Sequence, residues 1–267
     1  VVLVHGQGAA GTLASDGVKM KTALKKLLAA ACLVPGLAVA ASGHVKLDKA
    51  PIDIHDAASL QRGAQLFVNY CLNCHQASYM RYNRLMDLGL TEQQIKDNLM
   101  FASDKVGDQM RVSMSAKDAA NWFGAQPPDL SVIARSRGAD WLYTYLRTFY
   151  RDDSRPTGWN NVVFPNVGMP HVLWELQGQM DVQHVKAEGS DAHGDGHAET
   201  KLVMAMPGTL SEKDYDRAIA DLVGYLVFQG EPAQGRRVQI GILTLAFLAV
   251  LLVFAYALKK EFWKDVH

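Results

Sequence analysis

Cysteine is scarce in this chain: three among 267 residues cannot build a disulfide framework. Net charge is missing as well. With 27 Lys+Arg against 27 Asp+Glu there is no broad polycationic surface, and nucleic acid is not expected as a partner. Disorder is a poor reading too, because 49% of the residues are hydrophobic and only 20% are charged. The length suits one principal fold with appendages. The little cysteine present is concentrated, with Cys71 and Cys74 in Cys71-Leu72-Asn73-Cys74-His75, the pattern by which a c-type haem is attached.

The two ends carry targeting signals. Met20 opens a stretch with Lys21, Lys25 and Lys26, then Leu27 to Val34, then Ala38-Val39-Ala40: a basic region, a short apolar region and a small-residue cleavage site. Residues 20–40 are therefore expected to be a signal peptide and residues 1–19 an upstream extension. The apolar run, broken by Pro35-Gly36, falls short of the roughly 20 residues a membrane span needs. Processing after residue 40 removes Cys32, leaves no cysteine outside the haem motif, and leaves 23 basic against 26 acidic side chains. At the other end Val238 to Leu258 carries no formal charge, bracketed by Arg236-Arg237 and Lys259-Lys260. Residues 236–258 are expected to cross a hydrocarbon core of about 30 Å as one helix. An exported body over 41–235 then leaves residues 259–267 in the cytoplasm.

Between these ends the pattern is mainly helical. Asp56 to Tyr70 places Leu60, Ala64, Phe67 and Val68 at helical spacing, with Gly63 allowing close approach of another backbone, and delivers the cysteines at its C-terminal end. Thr91-Glu92-Gln93-Gln94 reads as a capping box for a helix to about Met100; Asp140 is a candidate cap for Trp141 to Tyr150; Ser211 caps a helix that Gly230 and Pro232 end. Residues 152–172 and 181–201 read as long irregular loops. The first is apolar enough to pack on a flat group; the second, with His184, His193 and His197, reads as a solvated insert with no assigned role.

Two thiols separated by two residues reach the two vinyl groups on one edge of a porphyrin, and the next residue, His75, is held beneath the iron. A zinc site joining Cys71 and Cys74 to His193 and His197 is disfavoured. His193 lies 119 residues beyond Cys74, against about 12 to 15 in zinc fingers. One attachment site means one haem c, and the sixth ligand decides its chemistry: an open position suits ligand binding or peroxide chemistry, while methionine opposite histidine favours electron transfer. Nine methionines follow Met20. Met206-Pro207, just before the capped last helix, copies the arrangement of many small c-type cytochromes, and Met169-Pro170 lies in the apolar loop. An anchored donor to a terminal oxidase and an open-site haem sensor or peroxidase-like enzyme both remain open on these grounds.

The ordered set of the signal peptide, the haem motif, Met80-Arg81-Tyr82-Asn83-Arg84-Leu85, Pro127-Pro128-Asp129-Leu130-Ser131, Phe164-Pro165-Asn166-Val167-Gly168-Met169-Pro170 and the C-terminal anchor resembles the cytochrome c1 family. The resemblance covers about residues 45 to 267. It implies a cytochrome c-like haem domain with a C-terminal transmembrane helix, in the bacterial inner membrane with the haem domain in the periplasm. The implied role is an electron relay within the bc1 complex, a ubiquinol:cytochrome c oxidoreductase of the respiratory chain. Its implied partners are cytochrome b, a Rieske iron-sulfur protein as donor, and a soluble or tethered cytochrome c as acceptor. It also implies His75 and Met169 as axial ligands, Pro128 packed near His75, and Arg137 at a haem propionate, with Arg135 as its rival. The second cysteine pair of some family members is absent here.

Overall fold

The structure, a computed structural model, describes residues 45–112, 114–185 and 199–265. The expected extension and signal peptide over residues 1–40, and most of the His-rich insert, lie outside the described residues. Among those described, helices dominate and the strands are three two-stranded antiparallel pairs.

Helix α1, Ala57–Leu66, starts where the Asp56 side chain accepts from the Ser59 amide at 3.0 Å. It buries Leu60, Gly63 and Ala64 and runs into a π-helical turn, Phe67–Cys71, that buries Phe67 and Val68. Strand β1 (Ala77–Arg81), a 3-10 helix (Tyr82–Leu88) and helix α2 (Glu92–Asn98) follow. The Thr91–Gln94 capping box of α2 is present in both directions. Strand β2 (Gln109–Met110) pairs with β1, and short helices α3 (Ala116–Phe123) and α4 (Ile133–Arg137) lead into α5, Ala139–Arg147.

Helix α5 differs from expectation at both ends. Gly138, at φ 90°, occupies the cap position, and Asp140 stands inside the first turn, where its carboxylate accepts from the Ala50 amide at 2.8 Å. The helix stops at Arg147 because its last carbonyls are taken by side chains from elsewhere: Tyr145 by Asn161 at 2.7 Å, Leu146 by the Tyr215 hydroxyl at 2.9 Å, and Arg147 by Gln177 at 2.9 Å. Phe149–Arg151 then forms β3, paired with β4, Trp159–Asn161.

Residues 152–172 are therefore less irregular than the Asn, Gly and Pro content suggests. Two buried asparagines scaffold the segment from inside. The side-chain Oδ1 of Asn160 accepts from Asn166 N at 2.8 Å, and Oδ1 of Asn161 accepts from Val163 N and Phe164 N at 2.9 and 3.1 Å. The second expected loop also contains order: after helix α6 (Trp174–Gln177), β5 (Gly178–Val185) and β6 (Glu199–Pro207) pair as a hairpin. The alternation of Met180 and Val182 with Gln179, Asp181 and Gln183 is a strand signal that the histidines and glycines obscure.

Helix α7, Glu212–Gly230, is capped by Ser211 as expected and buries Tyr215, Ile219, Leu222, Val223 and Leu226. It crosses α1 at Gly63. A Cβ there would stand 2.0 Å from the Asp221 carbonyl oxygen, so the two backbones touch. Arg62 and Asp221 clasp the crossing through two bonds of 2.6 and 3.0 Å, and Phe67 packs on Tyr225 at 5.4 Å between ring centroids. Arg147 joins α5 to α7 and the N-terminal segment by bonding Asp216 at 2.5 and 2.9 Å and Asp48 at 2.7 Å. Helix α8, Gln234–Phe262, buries none of its residues, and among the described helices only this C-terminal stretch is long and apolar enough to cross a membrane.

Candidate functional site

The π turn after α1 determines how the Cys71–His75 segment is presented. Cys74 N and His75 N both return to the Cys71 carbonyl, at 3.1 and 2.8 Å, and the chain coils tightly beneath its own helix end. Both cysteines are half-buried and free. Burial pushes the Cys71 thiol up to about 12, with a lesser contribution from Cys74. As a free group it would remain a protonated thiol.

The segment from Pro127 to Ser131 is fastened to the residues after the motif. Leu130 N donates to the Gln76 carbonyl at 2.8 Å, Ser78 N donates to the Asp129 carboxylate at 3.1 Å, the Ser78 hydroxyl donates to the same carboxylate, and Tyr79 N donates to the Ser131 hydroxyl at 3.0 Å. Asp129 also accepts from Ser131 N at 2.7 Å, and Gln229 of α7 donates to the Leu130 carbonyl at 2.7 Å. These bonds bring the Pro128 carbonyl to 2.8 Å from Nδ1 of His75. Burial lowers the imidazole's pKa and the Pro128 contact opposes this only in part, so the ring is neutral, with Nδ1–H donating to Pro128 and the Nε2 lone pair free. A histidine oriented in this way is ready to bind a metal through Nε2.

Met169 is half-buried, packed against the core, and its sulfur accepts from the Tyr145 hydroxyl at 3.4 Å. Met206 is 52% exposed and its backbone is held in β6 opposite Gln179. Two residues beyond Met169, His171 is buried and stacked on Phe149 at 4.9 Å and 3°. Burial lowers its pKa to about 4, which keeps it neutral. Arg137 is exposed, lies over the rings of Trp141 and Phe164 at 5.0 and 5.9 Å, and forms no ion pair among the described residues. Arg135 pairs with Glu231 at 3.3 Å.

The residues fit a covalently held haem. The paired thiols, an imidazole with Nε2 free and a thioether supply its anchors and donors, while Tyr70, Leu130, Trp141, Val163 and Val172 are half-buried apolar side chains suited to a flat apolar group. No cluster of three His, Cys, Asp or Glu side chains suited to a metal ion occurs among the described residues. Sequence reasoning missed the Asp129 clasp and the Tyr145 contact. Asp129 followed two residues later by Ser131 is the signal of a side-chain turn that could have found the first; Tyr145 reads from sequence as one member of an apolar stripe.

The Cytochrome C1 family model matches residues 48–266. The chain belongs to the cytochrome c1 family. Among curated proteins it is 50% identical to the ammonia monooxygenase gamma subunit of Nitrosomonas europaea, over 91% of this chain and 99% of that one. It is 47% identical to cytochrome c1 of Allochromatium vinosum, over 91% and 100%. It also matches cytochrome b/c1 of Bradyrhizobium diazoefficiens at 26% identity, over 81% of this chain and 34% of that longer protein. As a cytochrome c1 the chain is a haem c protein with one haem, an electron-transfer subunit of the bc1 oxidoreductase complex.

Proposed function

We propose that this cytochrome c1 takes single electrons from a Rieske iron-sulfur protein and passes them to a soluble or tethered cytochrome c, anchored beside cytochrome b in a bacterial inner membrane by α8. The observation that carries the reading is the bond from His75 Nδ1 to the Pro128 carbonyl, which leaves Nε2 for iron directly after the two cysteines. Bound there, the haem supplies a one-electron iron couple; no bond of the chain forms or breaks as the electron passes. Cys71 and Cys74 would hold the porphyrin, His75 and Met169 would ligate its iron, and Arg137 would meet a propionate, since a guanidinium can donate two bonds to a carboxylate. The half-buried apolar residues would exclude water from the bound haem.

The fusion of b and c1 names in one relative supports cytochrome b as the neighbour. The free span of α8 supports the anchor, and the expected signal peptide supports a haem domain in the periplasm with residues 259–267 in the cytoplasm. Copurification with cytochrome b and a Rieske protein tests the assembly, and recovery with monooxygenase subunits in their place would overturn it. For the ligand, Met169→Leu is expected to lower the haem potential, open the iron to carbon monoxide and stop turnover, whereas Met206→Leu keeps a low-spin spectrum and activity. The reverse result moves the ligand to Met206.

A further inference from the structure

Trp141 and Tyr145, four residues apart, share one face of α5, and Arg137, the last residue of α4, and Phe149, the first of β3, extend that face into one column at its two ends. The Arg137 guanidinium lies 5.0 Å from the Trp141 ring. Trp141 stacks on Tyr145 at 4.8 Å and 12°, Phe149 meets Tyr145 edge-on at 5.0 Å, and His171 stacks on Phe149. The column therefore grips Met169-Pro170-His171 at two points, by the His171 ring and by the Tyr145 hydroxyl on the Met169 sulfur at 3.4 Å. Rings on both sides leave the tyrosine one orientation, and only 8% of it is exposed.

We propose that Tyr145 is a positioning residue that places the Met169 sulfur and weakens its electron donation to the haem iron. The inference rests on the reading of Met169 as axial ligand. A thioether sulfur has two lone pairs, so accepting from Tyr145 leaves one for a metal. The O–H dipole points its positive end at the sulfur and opposes the extra positive charge of the oxidised iron. Removing the hydroxyl favours the oxidised form, and the potential falls.

The test uses the full-length, haem-loaded protein in detergent, with midpoint potential and the ferric sulfur-to-iron charge-transfer band as readouts. Tyr145→Phe keeps the ring and is expected to retain the band while shifting the one-electron equilibrium about fivefold toward oxidised, roughly 40 mV at 59 mV per tenfold. Tyr225 is the comparison. Its buried hydroxyl donates to the Met110 sulfur at 3.5 Å, the same bond on a methionine that is not a candidate ligand, and Tyr225→Phe is expected to shift the equilibrium less than twofold. An unchanged potential in Tyr145→Phe, or equal shifts in the two variants, overturns the proposal. If Tyr145→Phe loads no haem, Trp141→Leu carries the test by keeping the hydroxyl and removing the ring stacked on it: a lower potential supports the proposal and an unchanged one overturns it. Met169→Leu separates the two levels. If the band survives, the ligand reading fails and this inference with it; if the band is lost while Tyr145→Phe holds its potential, only the inference fails.

Discussion

One carboxylate, Asp129, does much to fix the His75 side of the site. Burial alone would raise its pKa, but bonds from the Ser131 and Ser78 side chains and amides outweigh this and hold it below the ordinary carboxylate value. A folded value below the unfolded one means that the carboxylate adds stability above about pH 4, the unfolded value, and that this stability is withdrawn as the pH falls through the depressed value. Asn at this position keeps the size but can accept on one oxygen only. Asp129→Asn is therefore expected to cost about 1 kcal/mol, the worth of one net hydrogen bond in a partly exposed site. Thermal unfolding of the haem-loaded protein from pH 7 to pH 3 should show the variant losing less on acidification than the native chain. Parallel pH curves for the two would remove Asp129 from this role. The haem motif and Pro128 are legible from residue type and spacing, whereas the clasp depends on backbone amides of Ser78, Tyr79 and Leu130, which have no letter of their own in a sequence.

Among elements, the crossing of α1 and α7 bears most directly on the cysteines, because the π turn that ends in Cys71 grows straight out of α1. At Gly63 a methyl group has no room: its carbon would meet the Asp221 carbonyl at 2.0 Å and the Tyr225 Cβ at 2.8 Å, both parts of a packed helix that cannot yield locally. Gly63→Ala is expected to cost about 3 kcal/mol, at the upper end for overpacking, and to lower haem incorporation in pulse-labelled cells. A variant that loads haem at the native rate and melts at the native temperature would refute the contact. Helical periodicity finds α1 and α7 because each buries a regular stripe, with Gly63 as the small residue on the first, and the capping box finds α2, which buries only Ile95. The pairs β3–β4 and β5–β6 escape because their strands are short or lie beside Gly- and His-rich segments. The boundary of α5 escapes for a related reason: Asn161, Gln177 and Tyr215, which occupy its terminal carbonyls, come from three other segments.

The whole molecule divides its tasks between a body that satisfies itself and a helix that does not. Within the body, α1 and α5 each bury an apolar face against α7 and join it through the Arg62–Asp221 and Arg147–Asp216 ion pairs, while α8 keeps its apolar residues exposed along its length. At about 1.5 Å per residue, its 29 residues reach roughly 44 Å, enough for a hydrocarbon core of about 30 Å with the Lys259-Lys260 end beyond it. What ties α8 back to the body is slight. Arg237 pairs with Glu231 in an exposed setting at 2.7 Å, worth at most about 1 kcal/mol, and the His55 ring stands 3.3 Å from where a Cβ on Gly235 would be. A chain ending at Gly235 therefore loses little that the haem domain uses. It is expected to be exported, to acquire haem with an unaltered spectrum and potential, and to appear in the soluble fraction, while failing to assemble with cytochrome b. Fractionation and a visible spectrum decide it. A truncated protein that stays in the membrane would place the anchor elsewhere, and one that is soluble but haem-free would make α8 part of the fold of the haem domain, against the exposure of every apolar side chain it carries.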